Sequence, residues 1–422
     1  MTQSRAAASP GAGSSGSRYR YSLFAATLAG ALAPAYVIRW HVGPLPTTLL
    51  EVAILATIVV FAVETLQQRA SIEWRGPLTL PAIVFIVAGA ISVPVSGDHR
   101  AALGLFRAYF LEPAAFFLIV AAVASTARRA GLIVLGFAAG GTVVAISNAA
   151  VVLDALRHHV LDLATTPPVA IYQTANAVAL YLVPLVAMAA SILVHGRGRV
   201  ERWLSGLFFV VALPACLLSF SRGGYLALAA VGIGLAISHR WAKVLVPAAI
   251  LAALAVSQVP LIRSRIAYEL HPLPGNTLDF RIRIWGQTLK LLSHHLVFGI
   301  GLGNYQQAMG PYWQDLPKVI YPHNIVLNFW AVTGVLGLVG FFWLAIRAFI
   351  MGWRGWRRHP VEWRPYDLGV LLALVAMVVH GLVDVPFFKN DLSLEFWALC
   401  GVLWAAHRWS GAASALYRRG GP

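Results

Sequence analysis

The sequence predicts an all-α, polytopic integral membrane protein of about twelve transmembrane helices. Three observations carry that expectation. Of 422 residues, 59% are hydrophobic and only 11% are charged, against about 25% charged in soluble domains. The mean hydropathy is +0.73. The apolar residues also fall into runs long enough to cross a hydrocarbon core of about 30 Å as helices.

The runs lie at 21–38, 45–66, 78–95, 109–126, 131–152, 172–194, 204–220, 223–238, 243–259, 323–349, 367–386 and 393–409. They divide the chain into helices 1–9 over 21–259, a polar loop over 260–322 and helices 10–12 over 323–409. The tails are 1–20 and 410–422. The first 20 residues are rich in Ala, Ser and Gly with three Arg, and read as a disordered cytoplasmic tail. The apolar run after them shows no signal-peptidase site, so it is expected to remain as the first helix.

Charge orients the bundle. With the N-terminus inside, cytoplasmic segments hold 20 of the 32 Lys and Arg. Of the rest, half sit in the loop 260–322, and long loops are weak topology determinants. Both termini are therefore expected in the cytoplasm and the loop outside, which in a bacterium is the periplasm. The net charge of +16 follows from this bias. No nucleic-acid-binding motif accompanies it, so no nucleic-acid partner is expected. Cys216 and Cys400 lie inside apolar runs and read as small hydrophobes rather than a redox or metal pair.

The long loop is expected to be structured. From Asp279 the residues Phe280, Ile284, Trp285 and Leu292 recur at helical spacing, with Asp279 as N-cap. Phe280, Ile284 and Trp285 would lie on the membrane surface. Gly299-Ile300-Gly301-Leu302-Gly303-Asn304 then makes a glycine-governed turn. It is not a dinucleotide fingerprint, because the spacing is wrong and no βαβ unit is present.

His323 and Asn324 stand at the mouth of the tenth run, and a His there calls for a role or a partner. With an ordinary pKa near 6.5, a His is able to accept a proton at neutral pH. Gly334, Gly337 and Gly340 follow at helical spacing and suit close helix packing. In Ser221-Arg222-Gly223-Gly224 a minimal turn holds Arg222 near the outer interface, and Gly223 lets a substrate approach the backbone. Arg222 and Arg281 are candidates for binding phosphate oxygens through their planar donor forks. Arg283 lies about 200° from Arg281 on a helix and is the solvent-facing or supporting member; Arg265 is a further candidate in the same loop. Asp384, one turn after His380, could orient His323 or an Arg, or pair with Lys389. The intramembrane acids Glu51, Glu64 and Glu112 call for interior Arg or Tyr partners. No D-x-D or E-x-D pair stands among the outer acids, which disfavours a metal-dependent transferase. Neither a metal nor another cofactor is expected. No G-x-S-x-G elbow is present either.

His323-Asn324 followed by Gly334 and Gly337 resembles the signature of the bacterial O-antigen ligases, a superfamily shared with O-antigen polymerases and protein-O-oligosaccharyltransferases. Ser221-Arg222-Gly223-Gly224 is similar to its short periplasmic Arg loop. Arg281…Trp285 with Gly299-Ile300-Gly301 is similar to its R-x-x-x-W…G-x-G segment. Gln173-Thr174-Ala175-Asn176 is a looser match, lacking the Asn-Pro that relatives often carry. The resemblance implies a GT-C-like glycosyltransferase in the inner membrane that needs neither metal nor ATP. Its donor would be undecaprenyl-diphosphate-linked O-antigen, its acceptor lipid A–core oligosaccharide, and its product complete lipopolysaccharide. In those terms His323 would be the general base, with Arg222 and Arg281 on the diphosphate and inversion at the anomeric carbon. The open alternatives are O-antigen polymerase, protein-O-oligosaccharyltransferase and a twelve-helix transporter. No inverted repeat of broken helices supports the last.

Overall fold

The computed structural model describes residues 18–43, 45–158, 168–240, 277–313 and 316–419, with the single positions 244, 247, 251, 258 and 263. Helices dominate: α1 (Arg20–Ala31), α2 (Leu49–Gln67), α3 (Thr79–Val95), α4 (His99–Phe106), α5 (Glu112–Val123), α6 (Ala127–Arg157), α7 (Ala175–His195), α8 (Arg199–Leu218) and α9 (Arg222–Ser238). After residues that are not described come α10 (Thr277–Ser293), the single turn α11 (Tyr305–Ala308), α12 (Ile325–Arg358), α13 (Arg364–Gly381) and α14 (Asn390–Arg419).

Seven of these are long and apolar enough to cross a membrane: α2, the continuous 99–123 segment, α6, α7, α8, α12 and α13. The chain is thus a multi-pass, largely helical membrane protein. The expected twelve spans differ in detail. The 21–38 run breaks after Ala31, where Pro34 opens a short 3-10 turn over Ala33–Val37. α3 and α9 are apolar but shorter, at 17 residues each. The 393–409 run lies within α14, whose first turns carry Asp391 and Glu395. The 243–259 run falls largely outside the described residues, as does Arg265.

One element is not helical. β1 (Arg39–Val42) pairs antiparallel with β2 (Leu45–Thr48), Val42 opposite Leu45. Thr48 then caps α2 in a capping box: its Oγ1 accepts from the Glu51 N–H at 3.1 Å, and Glu51 accepts from the Thr48 N–H. Glu51 and Glu112 both meet Arg107, at 2.8 and 3.0 Å, as expected of intramembrane acids. The Arg107–Glu112 pair is an ion pair without hydrogen-bond alignment. The Glu64 carboxylate accepts from the backbone N–H groups of Tyr21 and Ser22 and from the Ser22 hydroxyl, and its charge also acts on Arg129.

α7 and α13 pack along their lengths, with α9 beside both, and α12 lies against α3 and α13. Between α3, α12 and α14, Phe85, Phe329, Phe341, Phe387 and Trp397 interlock; Phe85 meets Phe329 edge-on at 5.6 Å and Phe387 at 5.4 Å. Where lipid is as apolar as the core, such packing supplies the association. Aromatic pairs add about 0.5–1.5 kcal/mol each beyond burial. Phe329 and Phe387 follow closely after His323 and Asp384, so this knot anchors both segments.

On α10, Ile284 faces protein rather than lipid: it is fully buried in a cluster with Leu291, Leu292, Tyr305 and Trp313, with Phe280 and Trp285 packed against it. The exposed apolar residues of α10 are Ile282 and Leu289. α10 begins at Thr277, so Asp279 sits in its first turn rather than at the cap.

The loop after α10 is docked into α12. Gly334 has φ 68°, ψ −173°, a break inside that helix. Through it the loop backbone enters: Ile300 N–H donates to Ala331 O at 2.7 Å and Val335 N–H to Val297 O at 3.0 Å. A Cβ on Gly334 would lie 2.2 Å from Val297 O, and one on Gly299 2.2 Å from Ala331 O. Gly337 and Gly340 do serve helix packing, against Ala88 and Phe85 of α3. Gly334 serves instead as a gap in the helix for the loop.

Candidate active site

Four helix ends meet at one end of the bundle: the N-termini of α7, α9 and α12 and the C-terminus of α13. His323 immediately precedes the cap of α12. Asn324 is that cap, its Oδ1 accepting from Leu327 N–H at 3.0 Å, while its Nδ2 donates to Leu382 O at 3.0 Å. Asn324 thereby ties the start of α12 to the end of α13. His323 has φ 51°, a left-handed conformation uncommon outside glycine. Such strain persists only where surroundings over-determine it, and here they do. Trp285 Nε1 donates to Pro322 O at 2.9 Å, and Tyr321 and Phe280 stand edge-on to the imidazole at 4.9 and 6.2 Å.

The imidazole faces a carboxylate. His323 Nδ1 is 3.4 Å from Asp384 Oδ1, with the His side chain 23% exposed and the Asp 3%. Asn176, the second residue of α7, donates through Nδ2 to the other oxygen, Asp384 Oδ2, at 2.8 Å. Val385 N–H donates to Oδ1 at 2.9 Å. Burial alone would raise the Asp384 pKa; the hydrogen bond and charge of His323, the His380 ring and the Val385 N–H outweigh it and hold the carboxyl at about 2. Asp384 is therefore a fixed anion at neutral pH. With Nδ1 facing that anion, a neutral His323 ring would carry its proton on Nδ1 and leave the Nε2 lone pair free.

His380, one turn before Asp384, is buried, with Nε2 3.5 Å from Ser221 Oγ. Ser221 caps α9 by accepting from Gly224 N–H at 3.2 Å. A Cβ on Gly223 would fall 2.5 Å from His380 Cδ2. The glycine is thus required for α9 to start against α13, and it sets Arg222, half-buried, at this junction. Arg281 of α10 acts electrostatically on His380 of α13. Arg281 lies one helical turn before Trp285, whose Nε1 is anchored on Pro322 beside His323. Arg283, on the other face, pairs with Asp279 at 3.5 Å.

The structure thus assembles His323, Asn324, Asp384, Gly223 and Arg281 at the meeting of helix ends, with Arg222 beside Gly223. Of the partners open to Asp384, His323 is the one it meets; Lys389 lies over the Tyr172 ring at 5.9 Å. Sequence reasoning missed His380, Tyr321 and the grip of Asn176 on Asp384. A His one turn from an Asp in an otherwise apolar run was the available signal for the first.

Chemically, the arrangement offers a proton-accepting imidazole backed by a permanent carboxylate, with guanidinium groups nearby. No curated protein matches the chain. Residues 207–342, which carry Arg222, Arg281 and His323, match the family model described as O-antigen ligase, and this segment of the chain is similar to that family.

Proposed function

We propose that the protein is an O-antigen ligase, transferring O-antigen polysaccharide from undecaprenyl diphosphate to lipid A–core oligosaccharide on the periplasmic face of the inner membrane. The observation that carries this is the His323–Asp384–Asn176 chain set beside Arg222 and Arg281. His323 Nε2 takes the proton of the acceptor hydroxyl as its oxygen attacks the anomeric carbon. The bond from that carbon to the diphosphate oxygen breaks, and undecaprenyl diphosphate leaves. Attack opposite the leaving group inverts the centre. A base of this kind contributes about 10²–10⁴-fold. Asp384 holds the ring and stabilises the imidazolium that forms. Arg222 and Arg281 bind the diphosphate and meet its growing charge, the role a metal plays elsewhere. The 3.4 Å His–Asp separation is long for a hydrogen bond; catalytic contacts often tighten only with substrate bound.

Gene inactivation tests the reading. Loss of all O-chain from the core, with accumulation of polymerised lipid-linked O-antigen, is the expected result. A core carrying a single repeat unit would identify a polymerase instead, and unchanged lipopolysaccharide would remove the proposal.

A further inference from the structure

A groove of about 630 Å³ opens between α6, α7, α8 and the start of α13. It is formed by the N-terminal part of α6, the C-terminal part of α7 and the N-terminal ends of α8 and α13. His323 and Asp384 stand at the other end of α7, α8 and α13, so the groove faces the opposite leaflet and belongs to no part of the site above.

Its walls are apolar, with Leu132, Leu135, Leu185, Ile192, Leu204 and Phe208. Its mouth carries Arg128, Arg197 and Arg199, all exposed and none paired with a carboxylate among the described residues. The mouth also holds Glu201 and Glu362, and Glu201 accepts from the Tyr366 hydroxyl. Three guanidinium groups against two carboxylates leave one net positive charge. The N-termini of α6 and α8 add partial positive charge there, and α8 starts from Gly198 without a side-chain cap. An apolar slot of this size is within the range of ligand sites. Basic pockets between transmembrane helices on the cytoplasmic side suit anionic lipid head groups, and this is the Arg-rich end of the bundle.

From this charge balance we infer that the groove binds one anionic glycerophospholipid of the inner leaflet, its phosphate between Arg128, Arg197 and Arg199 and an acyl chain along the α6–α7–α8 walls. Phosphatidylglycerol, with one net negative charge, matches the mouth. A zwitterionic phospholipid gains less from it.

The test is native mass spectrometry of the full-length protein, delipidated in detergent and titrated with phosphatidylglycerol or phosphatidylethanolamine. The wild type should retain one phosphatidylglycerol at least about tenfold better than phosphatidylethanolamine, and a triple variant R128Q/R197Q/R199Q should lose that preference. Leu135→Trp, which fills the slot and leaves the charges in place, should lower retention of both lipids. Equal retention of the two lipids by the wild type, no retention of either, or a triple variant that keeps the preference would each overturn the assignment. Glycosyl transfer need not change in either variant, so the outcome is separate from that of the proposed function.

Discussion

Asp384 reaches His323 from across two helix ends: its Oδ1 stands 3.4 Å from the imidazole Nδ1 while Asn176 holds its other oxygen at 2.8 Å. The carboxylate is therefore fixed by a residue of α7 before it meets the ring. Three segments far apart in sequence thus decide which ring nitrogen faces the carboxylate.

Asp384→Asn should keep the shape and lose the anion. The amide cannot stabilise an imidazolium, and it presents a donor where an acceptor is needed. Transfer is expected to fall by about 10²-fold or more, with donor affinity little changed. Initial rates and donor binding on the purified variant check this; a rate within about twofold of wild type would show that Asp384 does not support the base.

The same substitution gives a pH test of stability. A carboxyl held at about 2 in the folded protein, against about 3.9 unfolded, contributes stability that is fully present above the unfolded value. It is lost as pH falls towards 2, and is worth about 2 kcal/mol. The stability gap between wild type and Asp384→Asn should thus be present at pH 5 and shrink below pH 4. Thermal unfolding in detergent across that range measures it. A gap that stays level to pH 2.5 would contradict the assignment.

Gly334→Ala should be strongly disruptive. The backbone conformation there, φ 68° and ψ −173°, costs a side-chain-bearing residue about 1–3 kcal/mol. The added Cβ would also lie 2.2 Å from Val297 O. A lowered Tm and faster proteolysis near residues 294–304 are expected, because the docked loop is released. An unchanged Tm would mean that α12 closes its break without cost.

Within α9 two glycines should separate. Gly223→Ala pushes a methyl to 2.5 Å from His380 Cδ2 and should cut activity by moving α9 and Arg222. Gly232 has nothing within 4 Å of an added Cβ, so Gly232→Ala should be neutral or stabilise by about 0.5–1 kcal/mol. Parallel activity and Tm measurements decide. Equal effects of the two would remove the specific role of the α9–α13 contact.

Much of this was legible in the sequence because lipid imposes simple rules. Most apolar runs among the described residues became helices, and His323, Gly223 and Arg281 stand near the meeting of helix ends. What was not legible depended on pairing across the chain. Arg39–Val42 and Leu45–Thr48 form a hairpin too short to announce itself between two apolar runs. Gly334 reads as one of three packing glycines, and only the loop backbone entering at Val297–Ile300 separates it from Gly337 and Gly340. The amphipathic pattern of α10 was clear, yet what its apolar face would meet was not. Ile284 finds Tyr305 and Trp313, whose fold the pattern does not encode. Asn176 looked weak because its flanking residues depart from the relatives' pattern, whereas its value lies in reaching Asp384, 208 positions away.

The most direct measurement is transfer by His323→Ala, reconstituted in lipid with lipid-linked O-antigen and lipid A–core, with donor binding followed in the same preparation. The proposed chemistry predicts a loss of about 10²–10⁴-fold in transfer with donor binding retained. Transfer at the wild-type rate would show that some other group takes the acceptor proton.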